Sequence, residues 1–461
     1  MPDRDAALEA HLGETRDSRY TTLFEFLRIP SISALPDHAA DCRRAAGWVA
    51  DALTAAGVEH AEVCETDGHP VVYADWLHAP GAPTVLVYGH YDVQPVDPLE
   101  LWTSPPFVPV IEGRRLLARG AADDKGQIHA HVMAAAALLA TRGAMPVNVR
   151  YLFEGEEESG SVNLDRWLQA NQARLAADAV VVSDTGFFEG NVPAITTGLR
   201  GLMYAQIDVV GHKVDLHSGG FGGTVENPAN ALAQIIAALK GPDGRIRIPG
   251  FYDDVMPLTD ADRADFAALP FDEAAYLERL GLPALAGEVG YTTLERRGGR
   301  PTLDVNGLWG GFSGAGSKTI IPAHAHAKVS CRLVASQEPG RVFEQLKAYV
   351  EQIAPPGVTT TVTFLGGGRP SLTPKDHPAT CAAARAIEAT FGRSPVYIRE
   401  GGSIPVTASF ERILGLPVVL LGIVQPDCNA HAPNEWLDLD NYETGIRTFA
   451  RLFDELTDVR T

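Results

Sequence analysis

Residues 83–93, PTVLVYGHYDV, decide the fold because an apolar run leads directly into polar residues. The centre of this stretch is short, β-branched and too apolar to keep one face in water, which is typical of a strand buried on both faces. His90 and Asp92 follow at its carboxyl end. The stretch therefore predicts a central strand of a layered sheet, with polar side chains at one edge of that sheet.

Three further stretches repeat this pattern of a buried strand beside acids or a histidine. VNVRYLFE leads into three consecutive glutamates at residues 156–158, and ADAVVVSD ends at Asp184. LPVVLLGI precedes a loop that contains His431. Binding sites of open α/β sheets form outside the carboxyl ends of the strands. We therefore expect four strands to bring acids and histidines to one edge.

The order of the remaining segments predicts two domains. The 461 residues exceed the length at which one hydrophobic core usually stops growing. Helical segments such as AADCRRAAGWVADALTAAGV alternate with the strands of the first third, which favours an α/β domain with a mostly parallel central sheet flanked by helices. In the middle third, RGLMYAQIDVVG and AHAHAKVSCRLV alternate more loosely beside helix candidates such as NPANALAQIIAAL. That mixture predicts a separate α+β domain.

Composition excludes several classes of partner. The formal net charge of −20 repels nucleic acid and anionic membrane surfaces, so we expect neither as a partner. No uninterrupted apolar stretch approaches membrane-spanning length, and the N-terminus lacks an apolar signal core. The five scattered cysteines contain no CxxC pair, which argues against a disulfide framework and a thiolate zinc site. We therefore expect a cytoplasmic protein.

The polar residues at the strand ends form a ligand set for divalent metal ions. The loop LARGAADDKGQIHAH adds Asp123 and Asp124 just before an alanine-rich helix. Two histidines with several carboxylates suit paired Zn²⁺ or comparable ions, whereas carboxylates alone would suggest Mg²⁺. The sequence therefore favours a metal centre over a purely structural cluster.

Each of these residues also has an ordinary structural explanation. Asp123 and Asp124 fit helix caps equally well, and a run of three glutamates is more often a solvated acidic turn. His90 and Asp92 fit a hydrogen-bonded pair without metal, although a carboxylate also commonly fixes the tautomer of a ligating imidazole. The joint occurrence of the whole set at strand ends favours the metal centre.

At these residues the chain closely resembles the cocatalytic dizinc metallopeptidase family. That family includes carnosine dipeptidases, cytosolic nonspecific dipeptidases, aminoacylases, acetylornithine deacetylases, succinyl-diaminopimelate desuccinylases and glutamate carboxypeptidases. The resemblance extends over almost the whole chain and rests on the segments YGHYDVQP, RGAADDKGQ, FEGEEESGS, VVSDT, GLRG, DLHSG, FSGAGSKTIIP, REGGSIP and NAHAPNEW. GLRG, DLHSG, SGAGSKTIIP and REGGSIP make the chain look more like the dipeptidase branch than the deacylase branches.

The resemblance implies a role for each residue of the metal centre. Two divalent ions per chain are implied, with Zn²⁺ favoured and Mn²⁺ or Co²⁺ as possible substitutes. Asp92 orients His90, and the Asp123–Asp124 peptide is cis. Matching EESGS to the family makes Glu157 the general base and Glu156 a bystander. The implied metal ligands are His90, Asp123, Glu158, Asp184 and His431, with Asp123 bridging the two ions.

The resemblance also implies an inserted lid and dimerisation domain at residues 199–370, between two catalytic parts at 1–198 and 371–461. This domain would carry His217, Thr319 and Arg332 toward the substrate, and the catalytic domain would contribute Ser403. His217 is implied to act as the oxyanion donor of the neighbouring subunit in a homodimer. Arg332 suits a bidentate contact with a C-terminal carboxylate. On residue type alone, the four also fit ordinary surface or turn positions.

The expected reaction is metal-dependent hydrolysis of the peptide bond in dipeptides or short peptides with a free C-terminus. The nearest alternative is an N-acyl amino acid deacylase or desuccinylase that uses the same metal chemistry. More distant alternatives are a magnesium phosphatase site and a non-catalytic metal-binding protein. Two histidine ligands and a glutamate placed as a base argue against both of these.

Overall fold

The structure is a computed structural model that describes residues 2–402 and 404–459. It divides the chain into two compact units. Unit 1 comprises Met1–Thr197, Thr373–Ile398 and Ser409–Thr461, and unit 2 comprises Gly198–Leu372 and Arg399–Ala408. Residues 399–408, which the predicted boundary at 371 places in the catalytic domain, thus group with the inserted unit.

The two units are built from short strands and helices. Within the described residues the strands are β1 (Glu59–Cys64), β2 (Val71–Trp76), β3 (Thr84–His90), β4 (Val110–Glu112), β5 (Arg115–Leu117), β6 (Asn148–Glu154), β7 (Ala179–Val182), β8 (Ala194–Leu199), β9 (Gly201–Val210), β10 (Leu216–His217), β11 (Thr302–Gly310), β12 (Ile320–Ile321), β13 (His324–Leu333), β14 (Thr359–Gly368), β15 (Ser371–Leu372), β16 (Val396–Glu400), β17 (Val418–Leu420) and β18 (Trp436–Asp438). The α-helices of the same residues are α1 (Pro2–Glu14), α2 (Arg16–Leu27), α3 (Ala39–Ala55), α4 (Lys125–Arg142), α5 (Leu164–Ala170), α6 (Ser218–Phe221), α7 (Pro228–Leu239), α8 (Asp260–Ala268), α9 (Glu273–Leu280), α10 (Pro339–Ile353), α11 (Pro378–Phe391), α12 (Pro405–Ser409) and α13 (Leu439–Glu455).

The central sheet of unit 1 is mixed, with a parallel centre. Its strands lie in the order β1-β2-β6-β3-β7-β17-β8. Strands β6, β3, β7 and β17 are parallel neighbours, whereas β1, β2 and β8 pair antiparallel at the two sides. The predicted α/β class is confirmed. Because the four central strands are parallel, their carboxyl ends lie along one edge of the sheet.

Apolar burial on both faces holds this sheet in place. β3 is buried along almost its whole length, as its apolar run predicts. Each fully buried side chain such as Leu86 or Val87 contributes roughly 1.5–3 kcal/mol relative to an exposed one. The alanine-rich helix α4 packs against α13 and β3, and most of its side chains are buried. Among the described residues, every helix is too short or too polar to cross a bilayer.

Unit 2 contains an antiparallel sheet with one buried face. Its strands lie in the order β11-β13-β9-β14. Residues of β9 alternate strictly between buried and partly exposed, so that Met203, Ala205 and Ile207 point into a core with α7 and α10. This alternation is what a half-solvated antiparallel sheet requires. The unit therefore has the predicted α+β character.

Candidate metal centre

The acids and histidines predicted at strand ends lie at the carboxyl edge of the parallel strands. His90 is the last residue of β3, and Asp184 follows β7 by two residues. Glu157 and Glu158 lie in a 3₁₀ turn, Glu157–Ser159, just after β6. The loop after β17 carries His431.

The carboxylate of Asp123 lies between the two histidines. Its Oδ1 is 3.0 Å from His90 Nε2, and its Oδ2 is 2.9 Å from His431 Nε2. Asp184 Oδ2 is 3.9 Å from His90 Nε2, and Glu158 Oε2 is 3.2 Å from His431 Nε2. Each oxygen of Asp123 thus faces a different histidine, which is the arrangement of a carboxylate that bridges two positions.

The ligand atoms form two groups whose members lie within 4.8 Å of one another. One group contains His90, Glu157 and Asp184, and the other contains Asp123, Glu158 and His431. His90 is fully buried, whereas the His431 side chain is 57% exposed. The second group is therefore the one that is open to solvent.

Asp92 supports the first ligand group through contacts with His90 Nδ1, the ring nitrogen that does not face Asp123. Its Oδ1 is 3.3 Å from His90 Nδ1, and its backbone oxygen is 3.1 Å from the same nitrogen. Its Oδ2 accepts hydrogen bonds from Ser33 Oγ and from the backbone nitrogen of Glu158. Gln94 Nε2 donates to Glu158 Oε2 at 2.7 Å. The sequence did not single out Ser33 or Gln94, although Gln94 lies within the motif YGHYDVQP.

Asp124 does not cap α4 with its side chain, although it occupies the N-cap position. Its Oδ2 accepts a hydrogen bond from the backbone nitrogen of His90 at 3.3 Å. Gly89 makes this approach possible, because a Cβ atom there would lie 2.6 Å from Asp124 Oδ2 and 2.2 Å from Ile128 Cγ2. The Asp123–Asp124 peptide is cis, as the resemblance implies.

The three consecutive glutamates point to three different surroundings. Glu156 accepts hydrogen bonds from the backbone nitrogen of His69 and from the Asn163 side chain at 2.9–3.0 Å. Glu157 joins the group of His90, and Glu158 joins the group of His431. Glu156 therefore anchors two loops, and the other two carboxylates face the candidate metal positions.

The electrostatics of the cluster reflect several carboxylates in a small buried volume. Burial, together with Asp123 and Glu158, raises the pKa of Glu157 to about 8, against the opposing effect of His90. Burial and then Asp123 raise the pKa of Asp184 well above its ordinary value. Hydrogen bonds to Asp123 and Glu158 raise the pKa of His431 to about 10. The negative charge of these carboxylates thus stabilises a positive charge placed among them. Protonated imidazole provides that positive charge here.

This donor set fits two divalent cations. A cation near each histidine would replace the imidazole proton, since neutral imidazole is the ligating form. It would also relieve the repulsion that raises the carboxylate pKa values. The mixture of imidazole nitrogen and carboxylate oxygen atoms suits Zn²⁺ and neighbouring first-row ions.

Two of the residues predicted for substrate binding lie side by side in unit 2. β10 pairs with β12, so that His217 lies opposite Ile320, and the backbone nitrogen of Ser218 donates to Thr319 O. His217 is exposed, and its Nδ1 accepts a hydrogen bond from the backbone nitrogen of Gly219 at 2.9 Å. The neutral ring therefore carries its proton on Nε2, which leaves an N–H donor on the outer side.

Arg332 lies on β13, opposite Leu202 of β9 and Thr302 of β11. Its side chain is partly buried on the face of the sheet that points away from the core of unit 2. Burial, and then the charge of Arg332, lower the pKa of Arg200 to about 10. The charge of Asp304 opposes this effect of Arg332. Ser403 lies outside the described residues.

Comparison with known proteins agrees with the dipeptidase resemblance. The family described as peptidase family M20/M25/M40 matches residues 86–455. The Cys-Gly metallodipeptidase dug1 of Schizosaccharomyces pombe is 34% identical over 463 residues, which covers 97% of each chain. The human Beta-Ala-His dipeptidase is 33% identical over 392 residues, which covers 84% of this chain and 77% of the human protein.

A solved structure agrees with the fold as well. The M20 family metallo-carboxypeptidase Sso-CP2 from Sulfolobus solfataricus superposes with a TM-score of 0.84 at 35% sequence identity. The similarity covers 95% of this chain and 99% of that structure. The family predicted from the motifs is thereby confirmed, and the chain belongs to peptidase family M20/M25/M40.

Proposed function

We propose that this chain is a two-metal dipeptidase that hydrolyses the peptide bond of dipeptides or short peptides with a free C-terminus. The observation that carries the proposal is the Asp123 carboxylate, which faces His90 with one oxygen and His431 with the other at about 3 Å. Membership in a peptidase family and similarity to two dipeptidases support the substrate class.

The residues that would hold the ions are the two groups around His90 and His431. Glu157 lies in the first group, so that its position alone fits either a ligand or a base. We assign Asp184 and His90 to the first ion, Glu158 and His431 to the second, and Asp123 to both. Bound divalent ions supply Lewis acidity and make water a stronger nucleophile near neutral pH.

Glu157 is then the general base. Its carboxylate accepts a proton from the attacking water and returns that proton to the nitrogen of the leaving amine. Asp92 keeps His90 in its orientation, because its two contacts with His90 are both to the Nδ1 atom and leave Nε2 directed toward Asp123.

Unit 2 supplies the groups that recognise the substrate. The Nε2–H of His217 donates to the oxyanion that develops on the scissile carbonyl. Arg332 pairs with the C-terminal carboxylate, and Thr319 and Ser403 contribute hydroxyl groups to binding. We propose that unit 2 acts as a lid and dimerisation domain, and that each His217 serves the site of the partner in a homodimer.

We also propose a cytoplasmic location. The five cysteines are all free thiols in the structure, and three of them are buried. Free thiols fit a reducing compartment, in which disulfides seldom persist.

A carboxypeptidase that shortens longer peptides is the second candidate. It is supported by the 35% identity to a protein named as a metallo-carboxypeptidase. An N-acyl amino acid deacylase would use the same metal chemistry. The three activities differ in their products, so a substrate panel separates them.

The test uses metal-stripped protein that is reconstituted with Zn²⁺, Mn²⁺ or Co²⁺ one at a time. We expect two metal ions per active chain and release of free amino acids from dipeptides. Preferential trimming of longer peptides would favour the carboxypeptidase, and release of acetate with intact dipeptides would favour the deacylase. Full activity with well under one metal ion per chain would refute the two-metal centre.

A further inference from the structure

Glu435 is a fully buried acid that the proposed reaction does not use. It directly precedes β18 and follows the loop that carries His431. Its carboxylate accepts four hydrogen bonds, two on each oxygen. Oε1 accepts from the backbone nitrogen atoms of Ala122 at 2.8 Å and Asp123 at 3.0 Å. Oε2 accepts from Gly120 N and from Arg119 Nη1, both at 2.9 Å.

These bonds bind Glu435 to the loop that ends at Asp123. Three backbone donors within four residues of that loop, Gly120, Ala122 and Asp123, converge on one side chain that lies more than 300 residues away in sequence. The backbone nitrogen of Ala118 also donates to Glu435 O at 3.1 Å. The loop before Asp123 therefore depends on this single carboxylate for much of its backbone hydrogen bonding.

Arg119 extends the connection to a third loop. Its side chain is only 1% exposed, and its Nη2 donates to Pro95 O at 3.0 Å. Pro95 follows His90 and Asp92 in the same loop. The pair of Glu435 and Arg119 thus joins the loops that carry His90, Asp123 and His431.

Two hydrogen bonds from Trp436, the residue after Glu435, close the loop that carries His431. Trp436 N donates to Cys428 O at 2.9 Å, and Trp436 Nε1 donates to Asp427 O at 2.9 Å. His431 lies in the middle of this closed loop, with its backbone in the left-handed region at φ 61°. The position of His431 is therefore set relative to the base of the loop, where Glu435 lies.

We propose that Glu435 is a positioning residue that sets the spacing between Asp123 and His431, and thereby the affinity of the chain for metal ions. Asp123 must reach both histidines at once, so a small shift of either loop would open one of the contacts near 3 Å. Groups that orient metal ligands through hydrogen bonds typically change metal affinity by about 10- to 100-fold when they are replaced.

The test compares Glu435→Gln with a matched control in unit 2. Glu288 forms a buried pair with Arg300 through two hydrogen bonds of 2.8 and 2.9 Å. Glu288→Gln therefore removes the charge from a buried carboxylate and arginine pair without touching the ligand loops. Zinc affinity is measured by competition with a chromophoric chelator, and the folding of each metal-stripped variant is followed by thermal unfolding.

We expect Glu435→Gln to bind zinc about 10- to 100-fold more weakly than wild type, because its amide nitrogen faces two N–H donors in place of an acceptor. Glu288→Gln should bind zinc as tightly as wild type even when it unfolds at a lower temperature. Glu435→Asp provides a second variant that keeps the charge opposite Arg119. It should weaken zinc binding too, since a shorter carboxylate cannot reach all four donors.

Equal zinc affinity in wild type and in both folded Glu435 variants would overturn the inference, as would an equal loss in Glu288→Gln. The inference rests on the proposed two-metal centre, and the two fail in different ways. Wild-type protein that binds no zinc would refute the centre itself. Wild-type protein that binds two ions, with variants that bind them equally well, would refute only the role of Glu435.

Discussion

Replacement of Glu157 by glutamine is the sharpest test of the proposed reaction. The amide has nearly the same volume as the carboxylate, so the turn Glu157–Ser159 can keep its shape, but it cannot accept a proton at catalytic pH. Loss of a general base typically lowers turnover by about 100- to 10,000-fold. This loss corresponds to roughly 2.7–5.5 kcal/mol in the activation free energy.

The geometry makes the metal content of this variant as informative as its rate. Glu157 groups with His90 and Asp184, so that a ligand role would show as loss of metal. As a base, Glu157 is dispensable for metal binding. We therefore expect Glu157→Gln to keep nearly its full metal content by elemental analysis while dipeptide turnover falls at least about 100-fold.

The two neighbouring glutamates are matched controls. Glu156→Gln should keep both metal content and turnover, because Glu156 bonds to His69 and Asn163 rather than to the ligand groups. It should cost only about 1 kcal/mol of stability through a weakened hydrogen bond. Glu158→Gln should instead lose metal. A dead Glu156→Gln beside an active Glu157→Gln would refute the assignment, and loss of metal from Glu157→Gln would make Glu157 a ligand.

Three further predictions concern recognition, assembly and stability. Arg332→Ala should lower kcat/KM about 10- to 100-fold for dipeptides with a free C-terminus, because a charged hydrogen bond contributes roughly 1.5–3 kcal/mol. The kcat/KM for amidated substrates should not change. Equal losses for both kinds of substrate would show that Arg332 has a structural role. His217→Ala and Glu157→Gln should each be inactive alone, but a refolded mixture should recover about a quarter of wild-type activity, since about half of randomly formed dimers are mixed and each holds one whole site. A mixed dimer without activity would rule out sharing of His217. Burial lowers the pKa of His129 from 6.5 to about 3, so the unfolded chain takes up a proton at that residue as pH falls below 6.5 while the folded chain stays neutral. Its contribution to stability is complete above pH 6.5 and declines by about 1.4 kcal/mol per pH unit toward pH 3. Urea unfolding of metal-stripped protein should therefore show a shallower loss of stability between pH 6.5 and 5 in His129→Gln than in wild type, and identical slopes would contradict this account.

Much of the fold follows from local sequence pattern. The run TVLVYG predicts a strand buried on both faces, and β3 is that strand. The alanine-rich stretch after Asp124 predicts a helix, and α4 begins at Lys125. The pattern was less informative about strand direction, because antiparallel strands such as β1 and β2 lack a local signal that distinguishes them from parallel ones.

The three glutamates show where local pattern stops being informative. In sequence they are equivalent, and only the match to a family separated a base from a ligand. In the structure Glu156 is the N-cap, with non-helical backbone, of a 3₁₀ turn that begins at Glu157, and within that turn three residues per turn direct the Glu157 and Glu158 side chains about 120° apart. Glu156, Glu157 and Glu158 consequently reach three separate sets of partners.

The sequence by itself determined the α/β class, the family, and the set of acids and histidines that follow the central strands, because hydrophobic pattern and residue type are local properties. Only the tertiary structure decided which of these residues meet. Asp123 contacts His90 from a loop 33 residues away and His431 from a loop 308 residues away, and Glu435 supports the same loop from 312 residues away. Contacts over such separations depend on the order of strands in the sheet and on the path of each loop, and no short stretch of sequence contains that information.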